Sequence, residues 1–197
     1  LNLRAQNSQA SDLTLVTAGR DVNLGRGAIS IDGPGFVLVE AGRDVFLGKG
    51  GGIETVGNGA TEGSNPIYRN TALPRGGADL LVLAGTADGP QYDAFIDAYL
   101  DPTKAAVSID YFVSLIFFMR QVTGDANLSA EAALAGIRDP RFADHRKFLI
   151  NAVLSRELRA AGRGKVDGLG AGLGYERGYA AMEQMLRDSP PIQGEGE

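Results

Sequence analysis

The residues whose recurrence points most directly to chemistry are Arg20, Asp21, Arg43 and Asp44, two charged pairs that each follow Ala-Gly and precede Val. Stacked on an outer surface, they would form a charged strip able to bind a saccharide or a cation. The same residues also read as a solvated ladder of alternating charges over two glycine turns, which is the commoner outcome. The single histidine, His145, stands between Asp144 and Arg146 and could serve as a general base. No serine is tied to it by a nucleophile-elbow pattern, and a half-exposed helix histidine is the usual reading. One histidine and no cysteine exclude a multi-histidine metal site, thiolate metal sites, disulfides and a cysteine nucleophile. Asp93 and Asp97 share a helix face, where like charges in solvent need no catalytic explanation. Glycines 168, 170, 172 and 174 precede a helix, and backbone N–H groups at such a place attract anions. Their spacing is not G-x-G-x-x-G and no Gly-Lys-Ser/Thr follows, so the run reads as a flexible connector. Tyr111, Phe112, Phe117 and Phe118 either line a ligand pocket or fill the core of a helical bundle. No catalytic residue, metal or cofactor is assigned.

The elements that position these residues fall into two halves. Seventeen of the 28 glycines but only three of the fourteen aromatic residues lie before residue 91. Residues 13–25 recur at 36–48 with nine identities in thirteen positions. Each period holds three short runs of apolar residues two apart: Leu13 with Leu15, Val22 with Leu24 and Ile29 with Ile31, then Phe36 with Leu38, Val45 with Leu47 and Ile53 near Val56. Residues two apart share a strand face. Three strands per 23-residue period predict a short right-handed parallel β-helix segment over 1–90, with Leu15 stacked on Leu38 and Leu24 on Leu47 as its inward core. A long surface loop is expected at 57–77, and strand character returns at Ala78–Leu83.

Beyond residue 90 the hydrophobic period changes from 2 to 3.6, predicting an α-helical subdomain of about five helices over 91–197 with a flexible tail. Tyr92, Phe95, Ile96, Tyr99 and Leu100 mark the first helix. Asp101-Pro102 and Asp139-Pro140 read as N-caps with proline at the first helical position, opening helices near 103–122 and 141–161 that stop at Gly124 and Gly162. A shorter helix is expected at 130–137 and a last one at 175–187, with Tyr175, Tyr179, Met182 and Leu186 on one side.

The 197 residues suffice for one domain or two small ones, and the net charge of −5 argues against a nucleic-acid binder or a polybasic membrane anchor. The longest apolar stretch, Tyr111 to Met119, is far short of the roughly 20 residues of a membrane-spanning helix. The chain opens on leucine and shows no signal-peptide pattern, which reads as a piece of a longer protein whose targeting signal lies outside it.

The repeats at Asp12 to Gly25 and Gly35 to Gly48 resemble those of filamentous haemagglutinin-type proteins, the large exoproteins of bacterial two-partner secretion. Asn65-Pro66, Leu73-Pro74, Gly77-Ala78-Asp79, Leu83-Ala84-Gly85, Tyr99-Leu100 and Gly174 to Tyr179 are similar to a region near the C-terminus of one subfamily. The resemblance implies an elongated β-helical stalk, secreted or held at the cell surface, exported unfolded through an outer-membrane β-barrel transporter, with an adhesive role toward a host-cell or surface receptor. It supplies no catalytic residues. A cysteine-free chain suits that route, because no disulfide can lock it in an oxidising periplasm. The expected function is thus a structural and binding module. The alternatives are a polysaccharide-active enzyme, which needs carboxylates and basic residues in one cleft with a raised carboxyl pKa, and a helical domain recognising a protein or ligand, which needs a pocket.

Overall fold

The computed structural model of the chain describes residues 1–58, 70–86, 89–105, 107–166 and 175–186, with the backbone alone for 161–166. Glycines 168–174, most of the expected 57–77 loop and the tail from 188 fall outside the described residues. Two compact units are present: residues 1–87 with 120–126, and residues 88–119 with 127–197.

Among the described residues the first unit contains eight strands: β1 (Leu3–Gln6), β2 (Leu13–Ala18), β3 (Asp21–Asn23), β4 (Ala28–Asp32), β5 (Phe36–Ala41), β6 (Asp44–Phe46), β7 (Gly52–Gly57) and β8 (Asp79–Ala84). They sort into three small all-parallel sheets, β1-β4-β7, β2-β5-β8 and β3-β6. This corrects the expectation of a β-helix segment: among the described residues the architecture is mixed α/β, with sheets of three, three and two strands and with five helices.

The inward ladder required by the expected coil is not continuous. Leu15 does pair with Leu38 across β2 and β5, but Leu15 is 44% exposed while Leu38 is buried. Leu24 is buried, whereas Leu47 is 50% exposed. The residues that do pack together are Val22, Leu24, Ile29 and Ile31, in the expected phase, with Ala78 and with Val37, Val39 and Ala41 of β5, which belong to the other phase. A one-residue change of phase moves a whole side-chain set to the opposite face. β5 conceals the correct phase because Phe36 and Leu38, on its other face, are buried as well.

Gly25 and Gly48 close equivalent turns with φ of +60° and +68°, a region that favours glycine. At Gly48 there is no room for a side chain either, because a Cβ would run into the Gly25 carbonyl. Gly19, in the turn between β2 and β3, has open space around it.

The second unit carries α1 (Tyr92–Tyr99), the first part of α2 (Ile109–Thr123), α3 (Ala130–Arg138), a 3-10 turn at Pro140–Phe142, α4 (Ala143–Val166) and α5 (Glu176–Leu186). Ser129 caps α3 by accepting from Ala132 N–H, and Asp139 caps the 3-10 turn by accepting from Arg141 N–H. Asp101 does not open α2. It is buried just after α1 and accepts from the backbone and hydroxyl of Thr103 at 2.9 and 2.6 Å. Gly124, at φ +71°, follows the end of α2, but α4 passes through Gly162 to Val166. The core joins Phe95, Ile96 and Leu100 with Leu115, Met119, Ile137, Ile150, Val153, Ala181 and Met185. Tyr175, just before α5, and Tyr179, Met182 and Leu186 on it, the residues expected on one side, are exposed, while Gly178, Ala181 and Met185 are buried. Small residues on the buried face let α5 approach α4 closely.

Gly48→Ala should destabilise the chain by roughly 1–3 kcal/mol, whereas Gly19→Ala should cost no more than about 0.5 kcal/mol. Urea unfolding midpoints measure both. Equal effects would mean that the Gly25–Gly48 approach does not constrain the fold.

Candidate functional site

Arg20, Asp21, Arg43 and Asp44 are brought together as expected from the repeat, with Asp21 opposite Asp44 across β3 and β6. Arg43 donates its Nε to Asp21 Oδ1 at 2.9 Å and its Nη2 to Oδ2 at 2.7 Å. It also lies 3.2 Å from Asp44, and Arg20 lies 3.6 Å from Asp21. The Arg43 hydrogen bonds hold the Asp21 carboxyl below its ordinary range. The ladder therefore satisfies its own charges at the surface. His145 sits near the start of α4 with its ring edge-on to Phe142. Asp93 and Asp97 are not a bare like-charged pair, because Arg146 binds the first at 3.2 Å and Arg138 binds the second.

A more substantial site lies in the helical unit, at one member of the aromatic run that read as either pocket lining or bundle core, Tyr111. α4 packs closely on α5, and a cleft of about 880 Å³ opens beside α2. Ser108, Tyr111, Val113 and Ser114 line one side, and Arg156, Arg159 and Arg177 the other. Asp110 also lines it. A narrower pocket of about 200 Å³ adjoins it and reaches Tyr99 and Glu157.

Glu157 is the organising residue. Its side chain is 1% exposed, and its carboxylate accepts from the Tyr111 hydroxyl, from Arg177 Nε, and from Arg177 Nη2 at 2.7 Å. A buried carboxylate needs such partners, since desolvating an unpaired charge costs several kcal/mol. The bidentate Arg177 fork supplies charge and direction together. Burial, followed by the hydrogen bond and charge of Glu157, pushes the Tyr111 hydroxyl from its ordinary 10 up to about 12. Tyr111 is thereby a fixed donor to Glu157 rather than a base. Of the expected aromatic run, Tyr111 alone lines the cleft; Phe112 and Phe118 pack against the core and Phe117 is 64% exposed.

Arg156 and Arg159 are placed differently. Arg156 donates to Ser114 Oγ at 3.4 Å, and Arg159 donates its Nε to the Ser155 carbonyl at 3.1 Å. Among the described residues neither has a carboxylate partner. The cleft can therefore bind negative charge through these two guanidinium groups and hydrogen-bond through Ser108; the Ser114 hydroxyl donates to the Asp110 carbonyl at 2.6 Å. Among the described residues, the carboxyls whose titration is displaced move down rather than up. Asp21 and Asp139 are lowered by the hydrogen bonds of Arg43 and Arg141. Burial works to raise Asp101, but hydrogen bonds from Thr103 and Arg138 outweigh it. No group of three or more His, Cys, Asp and Glu that could hold a metal occurs among the described residues. No described helix is long and apolar enough to cross a membrane.

No protein-family model, curated protein or solved structure matches this chain.

Folding raises the Tyr111 pKa, so the unfolded chain loses its phenolic proton first as pH climbs, and stability falls with pH in that range. The contribution is whole below pH 10 and is lost as pH rises toward about 12. Tyr111→Phe should cost about 1–2 kcal/mol near neutral pH, and its deficit relative to the unsubstituted chain should shrink above about pH 10. Paired urea unfolding curves at about pH 7 and about pH 10.5 check this, and a pH-independent deficit would show that the hydroxyl is not held by Glu157.

Proposed function

We propose that this chain is a non-catalytic structural and binding module of a large secreted or surface-exposed bacterial exoprotein, with adhesion as its role. The binding half of this reading is carried by one observation: Arg156 and Arg159 line an open cleft without a carboxylate partner among the described residues. Their neighbour along α4, Glu157, is already committed to Arg177 and Tyr111. A carboxylate-based hydrolase needs a carboxyl free to give a proton to its substrate, whereas the buried Glu157 carboxylate is held by Arg177 and Tyr111. The cleft favours recognition by the helical unit over hydrolysis.

The exoprotein half rests on the resemblance of the repeats at 12–25 and 35–48 to those of filamentous haemagglutinin-type proteins. On this reading the chain passes through the outer-membrane transporter of a two-partner system and meets a host-cell or surface receptor outside the cell. The absence of cysteine is compatible with passage through an oxidising compartment.

The purified chain should bind host cells or a defined component of a glycan array reproducibly, release no product from glycan, ester or peptide substrates above a buffer control, and bind equally well as His145→Ala. Hydrolysis of a polysaccharide that tracks with the purified chain would sink the proposal.

A further inference from the structure

We infer that the cleft beside α2 is a docking groove for an acidic amphipathic helix of a partner protein, an inference that rests on the binding reading above and specifies its ligand. Two sets of side chains carry the inference: an apolar row on α2 that meets the cleft at Val113, and two arginines of α4 that line it. Ile109, Val113 and Phe117 follow one another at intervals of four on α2 and are 70%, 40% and 64% exposed. They form an apolar row about 12 Å long at the rise of an α-helix. Val113 belongs both to this row and to the cleft lining. Across the cleft, Arg156 and Arg159 lie three residues apart on α4. Residues so spaced share a helix face, and neither is neutralised by a carboxylate among the described residues.

An apolar row beside a pair of cations is complementary to a helix bearing apolar residues at i, i+4 and i+8 with two acidic residues on the adjoining face. The step between successive row residues matches about one helical turn, so ridges of the incoming helix can settle into the spaces of the α2 row. Ser108 provides a hydroxyl in the cleft lining. Asp110, the cleft's remaining acid, disfavours a helix acidic along its whole length and restricts the acidic residues to the α4 side. Arg177 is anchored by Glu157 and acts here as fixed positive background.

The test uses the whole chain and a synthetic 18-residue helical peptide carrying leucine at i, i+4 and i+8 and glutamate at two positions three apart on the neighbouring face. Binding is read by fluorescence anisotropy against a peptide with lysine in place of both glutamates. The acidic peptide should bind about tenfold more tightly, the preference should reverse in R156E/R159E, and the advantage should shrink at high salt. Phe117→Ser should weaken both peptides by about fivefold or more with an unchanged circular dichroism spectrum. Equal affinity for the two peptides, or a preference unaffected by R156E/R159E, overturns the inference. Displacement of the acidic peptide by glucuronate or inorganic sulfate at millimolar concentration, without any effect of Phe117→Ser, would make this a small-anion site and also overturns it. So does sedimentation showing that the chain self-associates through the same residues. Cell binding that persists in R156E/R159E while the peptides are not distinguished would sink this inference alone and leave the adhesive role standing.

Discussion

The helical unit depends on the neutralisation of one buried carboxylate. Glu157 comes from α4, its bidentate cation Arg177 from α5 and its hydroxyl donor Tyr111 from α2. Burying that charge requires the three helices to meet at one point, because a half-paired carboxylate in a low-dielectric interior is worse than none. Dispersion and apolar burial hold the remainder of the unit, but they do not dictate which groups face the cleft. The carboxylate does. It draws Arg177 inward and leaves Arg156 and Arg159, its neighbours on α4, lining the cleft.

The chain's other ion pairs show why location matters more than charge type. Arg138 Nη2 binds both Asp97 and Asp101, the latter at 2.9 Å and buried, so this arginine ties α3 to the end of α1 and has little left to offer a ligand. In the strand unit, Arg43 gives two hydrogen bonds to Asp21 and lies against Asp44. Such exposed pairs contribute little to stability, yet they do consume the donors that a bound saccharide would need. The residues that repetition makes most conspicuous are therefore largely self-satisfied, and those available for recognition lie in the half without repeats.

The repeat was legible in pairing and illegible in assembly. The 23-residue offset places Leu15 opposite Leu38 and Val22 opposite Val45, and these registers are observed. What the strands build was misread, because alternation alone does not say which phase faces inward when a strand such as β5 is buried on both sides. Three separate parallel sheets form instead of the expected coil. In the helical half, helix existence was readable from the 3.6 period, but faces were not: on α5, Gly178 and Ala181 occupy the packed side and the aromatic residues remain outside. Glu157 was invisible. It sits in an Arg-Glu-Leu-Arg run that looks like any solvated helix surface, and its partners lie 20 and 46 positions away. Only burial distinguishes it, and burial is a property of the packed helices.

The same limit explains α2. A helix apolar around most of its circumference is ordinarily enclosed, and α2 contributes Leu115 and Met119 to the core beside Tyr111. Ile109, Val113 and Phe117 exceed what that core can take up and remain in solvent. Exposed apolar surface of this kind invites association, and its composition selects the associate. With Arg156 and Arg159 across the cleft, an apolar surface of positive charge is repelled while an apolar surface of negative charge is attracted. Electrostatics therefore converts a patch that would otherwise favour indiscriminate association into one with a preference.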